Sequence, residues 1–172
     1  MKKLLLPLFL FLFFVLEGTF IDILPINFIS SDLLFTPHWV LVFLIYIGVF
    51  YDRDTTYNAI MYALIFGLLT DIVYTGILGL YTFAYGLATY LIHELKKLLQ
   101  GNFYVMILLG VIGVAIADIA VFIILMLVEM VDISWQSYAL SRLLPSLGLN
   151  LLFLIILYPI FSKRLDFWGR ET

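Results

Sequence analysis

Apolar residues dominate the chain in long runs that short polar breaks interrupt. A helix needs roughly 20 mostly apolar residues to cross a bilayer. Charges, prolines and glycines divide the sequence into six runs of that kind, at residues 4–24, 33–51, 57–74, 77–95, 103–130 and 138–161. The linkers are too short for a soluble domain. The pattern therefore predicts an all-α polytopic membrane protein with one integral membrane domain.

Composition supports a bilayer as the solvent. Of 172 residues, 65% are hydrophobic and 12% are charged, whereas a soluble domain is about half apolar and about a quarter charged. A chain of this size cannot bury so much apolar surface in its own core. The absence of cysteine excludes disulfides, thiolate catalysis and cysteine-based metal sites. The net charge of −3 and the scattered basic residues predict no nucleic-acid binding.

The distribution of basic residues predicts an orientation. With the N-terminus inside, the outer side holds only Arg142, and the loops 27–32 and 129–136 are acidic or neutral. Basic residues favour the cytoplasmic side, so we expect six spans with both termini in the cytoplasm. The start of the chain resembles a signal peptide, but Glu17-Gly18-Thr19 offers no cleavage site, and we expect an uncleaved first span.

Four ionisable residues fall inside four different runs: Glu17, Asp71, Asp118 and Arg142. A helical rise of about 1.5 Å per residue places all four roughly 20–24 Å above the inner end. An isolated charge at such depth costs about 2–3 kcal/mol or more. We predict that Arg142 pairs with Asp71 or Asp118, the alternative being that the charges snorkel outward or are neutralised by protonation.

The sixth run carries further polar residues near Arg142. Arg142, Ser146 and Asn150 share one helix face, so Asn150 completes the predicted intramembrane polar cluster. Pro145 lacks a backbone donor and should bend the helix near Ser141 and Arg142.

Small residues recur at helical spacing in the third, fourth and fifth runs. Such positions let another helix approach closely. The stripes predict helix packing within the chain or docking of a partner, and less often a pore or substrate cavity. They comprise Ala59, Ala63, Gly67, Gly79, Gly86, Gly110 and Gly113.

No motif of catalysis or metal binding is visible. The chain has no Ser-His-Asp constellation, phosphate loop or zinc-helix motif. By the predicted topology, His38 and His93 lie on opposite sides and cannot share a metal. The sequence around Asp71 lacks the Gly-x-Gly-Asp motif of intramembrane aspartyl proteases. We expect no enzyme activity, no cofactor and no metal.

A longer motif resembles a known family. Gly67-Leu-Leu-Thr-Asp71-Ile, followed by Gly76-Ile-Leu-Gly79-Leu and preceded by Pro37-His38-Trp39, resembles the rod shape-determining protein MreD family. The similarity is concentrated in residues 33–95. The resemblance implies a fold similar to the six-helix substrate-binding subunits of energy-coupling-factor vitamin transporters.

The resemblance also implies a function and partners. The family belongs to the bacterial cell-elongation machinery, with MreC, the actin-like MreB, the polymerase RodA and a class B penicillin-binding transpeptidase, and it has no established catalytic activity. We expect a scaffold in the cytoplasmic membrane that binds MreC and helps to position and regulate peptidoglycan synthases. The alternative is a vitamin-type substrate-binding subunit of a transporter, although the first run lacks the Ala-x-x-x-Ala face expected of one.

Overall fold

A computed structural model describes residues 2–23, 33–99 and 101–170, and within these residues the protein forms six helices. Within these ranges there is no β-strand, and the all-α prediction is confirmed. The predicted outer loop 27–32 lies outside the described residues. The helices are α1 (Lys2–Ile23), α2 (Trp39–Tyr51), α3 (Asn58–Thr75), α4 (Leu80–Lys96), α5 (Phe103–Leu127) and α6 (Trp135–Arg170).

Three of the described helices, α3, α5 and α6, are both long and apolar enough to cross a membrane. Helix α2 and the apolar part of α1 are shorter. Helix α2 lies at the centre of the molecule, and every side chain from Val40 to Ile47 is at most 1% exposed. A helix that is apolar on all sides is typical of a protein core or a membrane span, and here the other helices cover it.

Aromatic side chains join the central helix to α1 and α6. The ring of Phe43 on α2 contacts the rings of Phe9 and Phe13 on α1 and that of Phe161 on α6. The centroid of each of these rings lies 5.0–6.0 Å from the Phe43 centroid. These separations are those of favourable aromatic pairs.

The apolar run predicted that helix α2 begins at residue 33. It begins instead at Trp39, and residues 33–38 form no regular secondary structure. Pro37 disfavours a helical conformation at Thr36. The backbone of residues 33–38 is bound instead by α6: the amide of Leu34 donates to the Ser141 carbonyl at 2.7 Å, and that of Thr36 donates to Ser146 Oγ at 2.9 Å. Periodicity could not reveal partners more than a hundred residues away.

Helix α6 contains the predicted irregularity near Arg142. Its backbone forms a π-helical turn at Ala139–Leu143, just before Pro145. The carbonyl of Ser141, four residues before the proline, cannot receive a bond from it. That carbonyl accepts the Leu34 amide instead. Helix α6 also continues beyond the predicted limit of residue 161 to Arg170, because a helix need not end where its apolar run ends.

Most of the small-residue stripes pack inside the chain. Gly67 of α3 lies against the backbone of α4, and a Cβ atom there would be 2.7 Å from Thr82 Cα. Gly113 of α5 faces Ile45 of α2, and Gly110 faces Leu154 of α6. Ala59 and Ala63 are buried, at most 2% exposed.

Two stripe residues behave differently. Gly86 is half-buried, and a Cβ atom there would be 3.1 Å from Leu64 Cδ2. Gly79 is exposed and packs against nothing. Its φ of +97° favours glycine at the turn that begins α4. The predicted packing role therefore does not apply to Gly79.

Candidate functional site

Asp71 binds the beginning of the helix that follows it. Its carboxylate is fully buried and accepts the amides of Gly79 (2.9 Å), Tyr81 (2.6 Å) and Thr82 (3.1 Å), as well as the Thr82 hydroxyl (2.7 Å). The first amides of a helix lack partners within it, and a helix N-terminus favours negative charge. Asp71 therefore caps α4 and is not the partner of Arg142.

The same arrangement occurs at two other helices. Glu17 of α1 accepts the Val40 amide at the start of α2 through Oε2 at 3.0 Å. Asp52, buried just after α2, accepts the Ala59 amide at the start of α3 at 2.7 Å. Together with Asp71, these carboxylates stabilise the N-termini of α2, α3 and α4.

Asp118 of α5 is the partner of Arg142. Its carboxylate is fully buried, and Oδ1 accepts from Arg142 Nη2 at 3.2 Å and from Nε at 3.3 Å. The hydroxyl of Tyr138 donates to Oδ2 at 2.7 Å. The Nε2 atom of His38 lies 3.4 Å from Oδ1. Of the two partners left open by the sequence, the structure places Asp118 against the arginine.

The contacts continue from His38 to Glu17. The fully buried His38 ring places Nδ1 3.2 Å from the Tyr85 hydroxyl. That hydroxyl lies 3.2 Å from Glu17 Oε1. Polar groups linked in this way join four helices, α1, α4, α5 and α6, to the residue that precedes α2. We call this set the Glu17–Arg142 network, and it consists of Glu17, Tyr85, His38, Asp118, Tyr138 and Arg142.

Asn150 supports the network from α6 without joining its side chains. Its Oδ1 accepts the His38 amide at 2.7 Å, and its Nδ2 donates to the Thr36 carbonyl at 2.9 Å. The side chain is fully buried. Asn150 thus satisfies backbone groups on both sides of Pro37 and fixes the position of His38.

The sequence prediction included Glu17, Asp118, Arg142 and Asn150 but missed three members of the network. These are His38, Tyr85 and Tyr138. One signal was present, because Tyr138 precedes Arg142 by four residues and therefore shares its helix face. No local pattern indicated Tyr85 or an inward-facing His38, because their contacts depend on where α2 begins.

A separate cleft lies at the opposite end of the bundle, the predicted cytoplasmic end. It has a volume of about 740 Å³, and its lining includes Arg53, Lys96, Lys163 and Asp166. Lys96 donates to the backbone carbonyl of Asp52. The cleft is polar but is remote from the Glu17–Arg142 network.

His93 lies near the same end, fully separate from His38. Its ring is 1% exposed, packs against Tyr57 with ring centroids 4.7 Å apart, and finds no hydrogen-bond partner among the described residues. The described part of the chain contains no group of three side chains suited to hold a metal ion.

Comparison with known proteins covers nearly the whole chain. Residues 2–167 match the family model described as rod shape-determining protein MreD. The rod shape-determining protein MreD of Bacillus subtilis (strain 168) is 32% identical over 168 residues, which span 96% of each of the two proteins. No solved structure matches the chain.

Proposed function

Because the chain belongs to the MreD family of rod shape-determining proteins, we propose that it is a non-catalytic membrane scaffold of bacterial cell elongation. It binds MreC in the cytoplasmic membrane and helps to position and regulate RodA and the class B penicillin-binding transpeptidase. Its connection to MreB is indirect. The observation that carries this proposal is the family match along 166 of 172 residues, from residue 2 to residue 167.

The bonds made by the intramembrane charges support a scaffold. Asp71 and Glu17 hold the starts of helices, and Asp118 is bound to Arg142. A catalytic acid or base needs a reacting group within hydrogen-bond reach. In the described structure, these carboxylates are instead occupied by protein donors, which fits a role in holding helices together.

The docking face must be sought outside the buried stripes. Ala59, Ala63 and Gly67 are covered by the chain itself. Gly148 of α6 is exposed, and a Cβ atom there would meet nothing within 4 Å. Leu144 and Leu152, one turn to either side, are more than half exposed. A glycine between apolar residues lets a second membrane helix approach closely, and we place the span of MreC on this face.

An affinity pull-down from mild-detergent membranes tests both parts of the proposal. We expect the tagged wild-type chain to recover MreC and the wall synthases. Gly148→Leu should lower MreC recovery several-fold, because it fills the docking face, while Gly148→Ala at the same position should retain most of it. Failure of the wild type to recover MreC would overturn the scaffold. Equal recovery with Gly148→Leu would overturn only the placement on α6.

The alternative function is a vitamin-type substrate-binding subunit of a transporter. Such a subunit needs an open cavity in which a few polar groups are free to bind the ligand. The central members of the Glu17–Arg142 network, His38 and Asp118, are instead 0% exposed and bound to other side chains. Mass spectrometry of the purified protein tests this alternative. A stoichiometric small molecule, together with a co-purifying ATP-driven transport module and no wall-synthesis proteins, would favour it over the scaffold.

A further inference from the structure

The Tyr85 hydroxyl contacts both Glu17 and His38, and each of these two hydrogen bonds must contain a proton. It has one proton to donate, and its oxygen lies 3.2 Å from Glu17 Oε1 and 3.2 Å from His38 Nδ1. If Tyr85 donates to one of them, the other must donate to Tyr85. Hence either the carboxyl group of Glu17 or Nδ1 of His38 carries a proton.

The other side of His38 fixes the second ring nitrogen. Nε2 faces the Asp118 carboxylate at 3.4 Å, and that carboxylate also accepts from Arg142 and Tyr138. An ionised carboxylate only accepts hydrogen bonds. Nε2 of His38 therefore carries a proton and donates it to Asp118. For His38, the remaining question is whether Nδ1 also carries a proton.

Two arrangements of protons satisfy every contact. In the first, Glu17 is ionised, Tyr85 donates to it, and the doubly protonated His38 donates from Nδ1 to the Tyr85 oxygen. In the second, protonated Glu17 donates to Tyr85, and Tyr85 donates to Nδ1 of a neutral His38. Both arrangements contain the same number of protons. With Asp118 negative and Arg142 positive, both are also electrically neutral, which a low-dielectric interior favours.

We propose that the Glu17–Arg142 network is a buried site for one exchangeable proton. The proton passes between Glu17 and His38 through Tyr85. In one direction the Glu17 O–H bond breaks as its proton binds the Tyr85 oxygen, and the original Tyr85 proton binds His38 Nδ1. Glu17 then carries a negative charge and His38 a positive charge. The reverse step restores both neutral groups, and no other reactant is required.

The surroundings contain the other charged and titratable groups that face this site. Asp71 is occupied by the amides at the start of α4 and belongs to a separate set of bonds. The hydroxyl of Tyr74 donates to the Phe14 carbonyl, and the ring of Tyr81 lies 6.2 Å from that of His38. The facing groups are Glu17 from α1, Asp71 and Tyr74 from α3, Tyr81 and Tyr85 from α4, Asp118 from α5, and Tyr138 and Arg142 from α6.

The position of the proton bears on the packing of α1 against α2. Glu17 also accepts the Val40 amide at the start of α2 through Oε2 at 3.0 Å. An ionised carboxylate is the stronger acceptor and the better partner of a helix N-terminus. Movement of the proton from Glu17 to His38 therefore tightens this contact, and the return weakens it. The inference goes beyond the proposed scaffold and does not depend on it.

The chain is well suited to a direct measurement, because it contains only two histidines. His93→Gln leaves His38 as the single imidazole. Nitrogen NMR of ¹⁵N-histidine-labelled protein in detergent measures the protonated fraction of Nδ1. Infrared difference spectroscopy measures the protonated fraction of the Glu17 carboxyl group, whose band is identified by its loss in Glu17→Gln. At pH 7.5 we expect the two fractions to add to about one proton per molecule.

Variants of Tyr85 and Tyr81 test whether the proton passes through the Tyr85 hydroxyl. Tyr85→Phe removes the connecting hydroxyl, and the two fractions should then vary independently with pH. Tyr81→Phe is the matched control, because Tyr81 lies one turn away on α4 and its hydroxyl carries none of these hydrogen bonds. In Tyr81→Phe, the protonated fractions of Glu17 and of His38 Nδ1 should still add to about one. A total near zero or near two in the parent protein would overturn the proposal, as would an unchanged coupling in Tyr85→Phe. The sum of the two fractions measured in the parent protein, His93→Gln, tests the proposal even if Tyr85→Phe fails to fold.

Discussion

Asp71 shows why a strongly apolar chain retains a carboxylate within a membrane helix. The nearest positive charge available to it is the N-terminus of α4 and not an arginine. Its two oxygens receive four hydrogen bonds, three of them from backbone amides. Hydrogen bonds to an ionised group are stronger than those between neutral groups. One residue thereby connects α3 to α4 and satisfies the amides that would otherwise lie unpaired.

Asp71→Asn should lower the stability of the folded protein. The amide group replaces one acceptor oxygen by a donor, so at least one buried amide near Thr82 loses its partner. A buried donor without a partner costs about 1–3 kcal/mol, and loss of the charge near the helix N-terminus adds to this. Thermal unfolding in detergent measures the change.

The matched control for Asp71 is Asp54→Asn, which changes an exposed carboxylate. It should leave the unfolding temperature almost unaltered. Equal stability of Asp71→Asn and the wild type would show that the carboxylate does not hold α4.

The individual helices were easier to predict than the bonds between them. The apolar runs coincide with the six helices of the described residues, and Arg142 and the carboxylates within the runs stand out from the sequence alone. The partner of Asp71 was not predictable in the same way, because it depends on the exact start of α4. The irregular backbone of residues 33–38 is bound by Ser141, Ser146 and Asn150, which are far away in sequence.

The pairing of α3 with α4 depends on Gly67. A Cβ atom at this position would lie 2.7 Å from Thr82 Cα and 2.8 Å from the Tyr81 carbonyl oxygen. Both obstacles are backbone atoms, so no side-chain rotation can relieve the overlap. Gly67→Ala should separate the two helices and destabilise the protein by about 1–3 kcal/mol, as overpacking of a core does. Chemical unfolding in mixed micelles measures the loss.

Gly148→Ala provides the comparison for this change. Gly148 is also helical, but a Cβ atom there would meet no other atom within 4 Å. An alanine in the interior of a helix is favoured over glycine by about 0.5–1 kcal/mol. Gly148→Ala should therefore be neutral or stabilising. A loss of stability equal to that of Gly67→Ala would attribute the effect to glycine replacement in general and would refute the close contact as its cause.

For the whole molecule, the predicted orientation assigns different surroundings to the two polar regions. With both termini in the cytoplasm, the Glu17–Arg142 network lies toward the outer surface, and the cleft near Arg53 and Lys163 lies at the inner surface. The network would then lie on the side of the membrane opposite the cytoplasm. The cleft would face anionic lipid headgroups, which attract basic residues.

The absence of cysteine makes this orientation directly testable. Single cysteines at Asp54, Lys163 and Gln136 occupy exposed positions and should leave the fold intact. In spheroplasts, a membrane-impermeant thiol reagent should label Gln136→Cys and should label Asp54→Cys and Lys163→Cys only after the membrane is disrupted. The cysteine-free parent controls for background labelling. The opposite pattern would place Arg142 and its partners at the cytoplasmic side and would overturn the predicted orientation. The first pattern would place the Glu17–Arg142 network, which joins four helices to the residue that precedes α2, at the end of the bundle opposite the cytoplasm.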